Sequence, residues 1–432
     1  MFKEKNNKSS LMSKVIIPLL GLASLFSFPF STDYSLFFLV ILYVFFFIGN
    51  QGPVLLFSLF SFISITPFLL EAIQIKTTFY NQYYGGLYYD NVFFCYLLFL
   101  IIFLVGINGL NINLSSILNK YKKRDIYFKL CVFIQLFILL VGKTGETIIS
   151  SDYGQINTVG ISGLIPGISI NEYYLIFLVI TLFIYKPNKY IHLLNILFLI
   201  KNILYGGRVE ALQIMFAYSI FLKINFKSVK TLLIGFVLLI SFQVIGTIRH
   251  LGLSLELISS ALSEVSIYNL VFFQSATSTF SEVIYSSSVM QGIINDNLIS
   301  QSLRLEMVIQ HFFSYIFPYS FLNEKADISL FSQSISMAGG GGLPSAYFYF
   351  IGGLPFVIMG SLIYVYIFRK MHKSQNYIFN ALGILMLITI PRWLLYNHII
   401  FIKSSFYLLI ILYFFYKVKV KSKPKIILKK GI

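Results

Sequence analysis

Four of the chain's six arginines, Arg208, Arg249, Arg304 and Arg392, stand in or beside apolar stretches with no adjacent lysine to share their charge. A guanidinium is planar, permanently protonated and able to grip phosphate oxygens in pairs, so isolated arginines of this kind are candidate anion ligands. Arg208 is the sharpest case. In YGGRVEAL (205–212), Gly206 and Gly207 permit a tight turn and Arg208 falls in the first turn of the helix that follows. Unpaired N–H groups and a partial positive charge already favour phosphate there. A snorkelling arginine, or a pair with Glu210, is the structural alternative. Arg249 and His250 stand side by side at the end of an apolar run, equally readable as an interfacial anchor. Arg304 and His311 lie two helical turns apart on RLEMVIQHFFSYIF (304–317) and so share one face. His311 could serve as a general base or hydrogen-bond donor, although a lone histidine on a helix face is more often neither. Arg392 beside Trp393 also reads as a belt residue. In AGGGGLPSAYFYFIGGLPF (338–356), Gly341 and Gly342 precede Pro344 at a helix start. A glycine nest there can cradle phosphate, while a hinge, or close packing through Gly352 and Gly353, explains the run equally well.

These residues must be positioned by a very apolar chain. Of 432 residues, 57% are hydrophobic and 11% charged, and the mean hydropathy is +0.81. Soluble proteins carry about a quarter charged residues, so the composition indicates a membrane protein. The basic N-terminus before an apolar run resembles a signal peptide, but no small-residue cleavage site follows Phe30, which predicts a retained first span. Cys95 and Cys131 fall inside apolar runs and are expected to be reduced core residues.

At roughly 20 residues per span, somewhat fewer where flanking residues snorkel, twelve spans are expected: 15–31, 34–49, 53–72, 92–110, 128–142, 172–186, 190–205, 208–223, 231–247, 344–368, 377–395 and 399–416. The basic segments at 3–14, 120–124, 186–189, 223–230, 369–373 and 417–425 then all fall on one side, which the positive-inside rule makes cytoplasmic, together with both termini. The net charge of +17 is thereby topogenic and gives no reason to invoke nucleic acid. Of 33 basic residues nine lie elsewhere once Lys129, Lys429 and Lys430 are counted with these segments, the four arginines among them. The fold class expected is an all-α polytopic membrane protein of about 12 transmembrane helices, one integral domain over 1–432. Within it, residues 248–343 form one large extracytoplasmic loop with amphipathic helices, read as a half-buried lobe over the outer mouth. The hairpin between Lys189 and Lys223 has room for helices of only about 16 residues each, roughly 24 Å, so its tip with Arg208 is shallow.

The chain carries no Walker loop, no HExxH and no CxxC pair, and its outer acids are scattered, so neither a metal nor a cofactor is expected. The twelve spans, GGRVEAL opening a middle helix, the large outer loop and GGGLPSAYFYFIGGLPFVIMGSLIYVY together resemble the Wzy-type oligosaccharide repeat-unit polymerases, the O-antigen and capsule polymerases of the bacterial cytoplasmic membrane. The resemblance covers the whole chain in topology and roughly 205–220 and 338–366 in residues. It implies a membrane glycosyltransferase that passes a growing glycan from undecaprenyl pyrophosphate to a new undecaprenyl-pyrophosphate-linked oligosaccharide. Membrane lipid and a chain-length regulator protein are the implied further partners. Arg208 and Arg249 would hold the pyrophosphate, Arg304 would hold it or the glycan, and His311 or Glu282 would serve as base. Gly206, Gly207, His250, Gly341, Gly342 and Arg392 would line the substrate site. An O-antigen ligase shares this architecture and leaving group. A flippase for lipid-linked sugars would show two similar halves and short loops.

Overall fold

The computed structural model describes residues 2–73, 82–110, 125–141, 170–204, 208–233, 235, 274–317, 322, 328–336, 341–374 and 376–421. Its regular structure is helical throughout: α1 (Phe2–Ser27), α2 (Thr32–Gly49), α3 (Val54–Ser64), α4 (Thr66–Ala72), α5 (Tyr83–Ile107), α6 (Ile126–Val141), α7 (Ile170–Val179, running into a π-helical turn at Ile180–Ile184), α8 (Lys189–Leu204) and α9 (Arg208–Phe221). After these come α10 (Gln274–Asn295), α11 (Gln301–Ser314), α12 (Ile328–Ile335), α13 (Pro344–Lys373), α14 (Tyr377–Ile388), α15 (Ile390–Leu395) and α16 (Ile400–Lys421). A helix or helix pair stands at each expected span but the ninth, which lies mostly outside the described residues.

Length separates these helices. Among the described residues three are long and apolar enough to cross a membrane, α2, α5 and α13, and the α3–α4 pair, bent by 42°, makes a fourth if it counts as one span. Six further stretches, within α1, α6, α7, α9, α14 and α16, are shorter apolar helices of 10–17 residues. At 1.5 Å per residue these reach less than a hydrocarbon core of about 30 Å, so their length alone does not carry a crossing.

Inside α13 the helix is broken. Gly352 (φ −162°, ψ 30°) and Gly353 (φ 69°, ψ −160°) leave helical geometry, and the latter pair of angles is open only to glycine. The chain folds back at this point. Phe348 lies against Tyr364, with ring centroids 5.3 Å apart, although sixteen residues of straight helix would separate them by about 24 Å. A Cβ on Gly360 would come within 2.7 Å of the Phe348 ring, so Gly360 admits it. The expected span 344–368 is therefore corrected to a short arm, 344–351, packed on a helix over 354–373. Pro355 stands in the first turn of that second helix, where its missing N–H does no harm.

The main core is aromatic. Phe57 stacks on Trp393 at 5.9 Å and lies tilted against Phe103 at 4.3 Å, while Tyr364 stacks on Phe401 at 4.1 Å. Trp393 is fully buried, which removes it from any interfacial belt, and its indole N–H donates to Met386 O across the break between α14 and α15. Cys95 and Cys131 are free and buried, as expected. A second, smaller core joins α10, α11, α12 and the 344–351 arm through Tyr285, Met290, Met307, Ile328 and Phe350. Helix α10, 22 residues long, packs on α5 and α13 and buries most of 281–293. It gives the 248–343 segment, expected as a half-buried lobe, a helix packed into the bundle.

Contacts also join ends of like sign. Residues of three basic segments reach other helix ends: Lys227 Nζ donates to Ile48 O (2.7 Å), Arg369 Nη1 to Gly106 O (2.6 Å) and Tyr185 Oη, beside Lys186, to Asp125 Oδ1 (2.9 Å). Asn50 ties to Asn108 (3.0 Å) and to the Gly109 N–H (2.8 Å) at the same end. At the opposite ends Tyr349 Oη donates to Asn295 Oδ1 (2.9 Å).

Because Gly353 needs its positive φ, Gly353→Ala is expected to cost about 1–3 kcal/mol and to lower the thermal midpoint of the purified protein by several degrees. Gly235→Ala places its methyl in open space and is expected to leave the midpoint unchanged. Equal midpoints for both variants would remove the fold-back turn.

Candidate functional site

The site grows from α11. Ser300 caps this helix by accepting from the Leu303 N–H (3.3 Å). Met307, His311 and Ser314 recur at helical spacing and are buried, while Leu305, Ile309, Phe312 and Phe313 are exposed. The helix therefore docks through its more polar stripe and turns its apolar stripe outward, the disposition of a helix lying on a lipid surface. As the spacing predicted, Arg304 and His311 share a face, and both meet the 344–351 arm. Arg304 Nε donates to Phe350 O (2.9 Å), and the His311 ring stacks on Tyr347 at 5.7 Å. Phe350 O is one of the unpaired carbonyls where that arm ends at Gly352, so the Arg304 guanidinium caps it.

His311 is paired with a residue that sequence reasoning missed. His398, in the turn between α15 and α16, brings its Nε2 to 3.3 Å from His311 Nε2 and 2.7 Å from the Tyr315 hydroxyl. Both imidazoles are fully buried. Tyr347 and Phe348 lie beside the His398 ring at 4.4 and 5.2 Å, and the Tyr364 hydroxyl donates to its carbonyl at 2.8 Å. Two Nε2 atoms in hydrogen-bond contact require one to carry the proton and the other to be bare. His398 Nδ1 has no hydrogen-bond partner. A buried orphan N–H is rarer than a buried orphan acceptor, which favours the tautomer with the His398 proton on Nε2. His311 Nε2 is then the bare, basic atom. Burial, with His311 alongside, holds the His398 imidazole well below the usual histidine range, so it is neutral at pH 7.

Other expected residues gather here. Gly341 (φ 117°) packs so closely that a Cβ would lie 2.8 Å from Tyr396 Cα. The Gly341 N–H donates to Ser329 Oγ (2.9 Å), that of Gly342 to Leu395 O (3.1 Å) and that of Leu343 to Ser287 Oγ (2.9 Å). A phosphate cradle at Gly341 and Gly342 would have to displace these protein acceptors. Tyr347 Oη donates to Tyr396 O (3.0 Å), and the Arg392 guanidinium lies over the Tyr396 ring at 5.8 Å. The structure thus brings His311, Gly341, Gly342 and Arg392 into one cluster with His398, Tyr315, Tyr347 and Tyr396.

The remaining candidates stand apart or are not described. Glu282 is half-buried on α10, one turn before Tyr285, whose hydroxyl meets Ser336 Oγ at 2.6 Å. Arg208 is the first residue of α9, as expected, and α9 packs against α15, the helix that carries Arg392. The Arg208 side chain, Gly206, Gly207, Arg249 and His250 lie outside the described residues. No group of three or more metal-ligating side chains occurs among the described residues.

The fold defines an all-helical, strongly apolar protein with helices suited to a membrane. Beyond that class, comparison with protein families, with curated proteins and with solved structures finds no match.

A histidine held below its ordinary pKa of about 6.5 takes up more protons unfolded than folded as pH falls through that value. Stability is therefore full above about pH 6.5 and declines toward the folded pKa. The thermal midpoint is expected to drop between pH 7 and pH 5, and His398→Gln is expected to reduce that slope. An identical slope in His398→Gln and wild type would show that the pair is not held neutral.

Proposed function

We propose that the protein is a multi-pass glycosyltransferase of the bacterial cytoplasmic membrane, with both termini cytoplasmic, that polymerises undecaprenyl-pyrophosphate-linked repeat units on the outer face. The observation that carries the reading is the segregation of charge: lysines crowd the segments around Lys227, Arg369 and Asp125, whereas Arg208, Arg249, Arg304 and Arg392 lie away from those clusters. The buried imidazole pair among tyrosines supports it, since a neutral histidine is the form a general base must take.

The reaction needs little else. An acceptor sugar hydroxyl oxygen bonds to the donor's anomeric carbon, the bond from that carbon to the pyrophosphate oxygen breaks, and its electron pair leaves with undecaprenyl pyrophosphate. The hydroxyl proton passes to His311, whose bare Nε2 exchanges the His398 N–H for the substrate. Arg208 and Arg249 stabilise the charge that develops on the leaving group, as fixed cations do most effectively where water is scarce. Arg392 beside Tyr396 is a further cation for the same lipid-linked anion, and the twelve crossings keep these groups on one side.

A strain carrying Arg208→Ala at normal protein level is expected to make glycan of a single repeat unit, with turnover down about 100- to 1,000-fold. Long-chain glycan from both Arg208→Ala and Arg249→Ala would refute the pyrophosphate assignment. Lipid-linked units trapped on the cytoplasmic face would point to a flippase, and normal chains left untransferred to their final acceptor would point to a ligase.

A further inference from the structure

The N-terminal turns of α5 and the C-terminal end of α10 build a surface that the reaction above does not use. Tyr84 and Tyr88, four residues apart on one face of α5, set their rings side by side with centroids 6.4 Å apart and planes 22° apart. Both rings lie down on α10 at Gly292. A Cβ there would come within 2.5 Å of Tyr84 Cδ1 and 3.1 Å of Tyr88 Cε2, so only glycine leaves room for them. Tyr83 stands edge-on to Tyr84 at 5.0 Å and is 68% exposed. Around these rings polar groups converge. The Tyr88 hydroxyl donates to the Asp296 carboxylate, and Tyr349 Oη donates to Asn295 Oδ1 (2.9 Å), which leaves the Asn295 amide N–H groups as donors. Asn295, Asp296 and Asn297 are all exposed.

We propose that this aromatic platform is a binding subsite for a neutral pyranose of the glycan. A sugar ring presents a C–H face that packs on an aromatic face, and a rim of hydroxyls that needs both acceptors and donors beside it. Tyr84 and Tyr88 supply the face, Asp296 the acceptor and Asn295 the donor. The exposed carboxylate disfavours an anionic sugar or a phosphate at this spot and equally disfavours acyl chains. A tyrosine that only anchors a protein at the lipid interface has no need of a glycine bed or a carboxylate bonded to its hydroxyl. The subsite rests on the glycosyltransferase reading for the identity of its sugar chain, and it would hold the glycan while its reacting end sits elsewhere.

Binding tests it without turnover. The full chain in lipid nanodiscs, free of alkyl-glycoside detergent whose headgroup would compete, is titrated with methyl glycosides of glucose, galactose, mannose and N-acetylglucosamine under saturation-transfer NMR. At least one glycoside is expected to receive saturation at its ring C–H protons, with affinity falling about tenfold in Tyr84→Ala and in Asp296→Asn, and unchanged in Tyr366→Ala, an exposed tyrosine near the opposite end of α13. No transfer to any of the four, or equal transfer in wild type, Tyr84→Ala and Asp296→Asn, would overturn the proposal. Asp296→Asn changes only an exposed side chain and carries the test if Tyr84→Ala does not fold. Binding that persists in a protein making no polymer would keep the platform and refute the polymerase. Polymer made normally by a protein with no such binding would do the reverse.

Discussion

The whole molecule depends on how helix ends are satisfied where water is scarce. Each helix leaves four carbonyls unpaired at its C-terminus, and an apolar surrounding offers them nothing. This chain answers with side chains brought from elsewhere in the sequence. Lys201 donates to Leu139 O, Lys227 to Ile48 O, Arg304 to Phe350 O and Arg369 to Gly106 O, each carbonyl standing near a helix end. A buried carbonyl left bare costs about 1–3 kcal/mol, and a charged donor answers the negative end of the helix dipole as well. Two of these cations, Lys201 and Arg304, lie outside the basic clusters that set orientation. Their charge is accounted for in part by helix ends.

The same demand shapes the candidate site. Tyr364, Tyr347 and Tyr407 each turn a hydroxyl onto a loop carbonyl, of His398, Tyr396 and Ile316 respectively. Those bonds fix the turn between α15 and α16 and the end of α11, and thereby bring His398 to His311. Fold and site thus share their hydrogen bonds: Tyr347 that closes the turn also packs against both imidazoles. The groups that box the pair are also the groups that complete the backbone.

How much was legible in the sequence follows from which forces are local. Apolar runs located the helices, since burial of a continuous stretch is a property of that stretch. The fold-back at Gly352–Gly353 was not legible from hydropathy, which is blind to φ. A recurrent signal was present, however, in Gly341-Gly342-Leu343-Pro344 and Gly352-Gly353-Leu354-Pro355, which both end in a proline that opens a helix. Helix α10 escaped notice because it is rich in serine. Two of its buried hydroxyls satisfy themselves on their own helix, Ser287 on Val283 O at 2.7 Å and Ser288 on Ile284 O at 3.1 Å, so these polar residues enter the interior without any outward pattern. His311 was legible from helical spacing, but His398 was not, because its partners lie 83 and 87 residues away in the chain. An imidazole between the last two apolar runs was the available sign.

The helix-end rule also separates the arginines from one another. Arg304 meets the negative end of a helix, so the backbone itself answers its charge. Arg208 opens α9 and so adds a full positive charge to a terminus that already carries a partial one. The acidic residue of the same first turn, Glu210, is buried. A cation at a helix C-terminus is a structural solution, complete without a ligand, whereas a cation at an N-terminus calls for an anion. For this physical reason the pyrophosphate reading attaches to Arg208 more firmly than to Arg304, in keeping with the order in which their sequence contexts rank them.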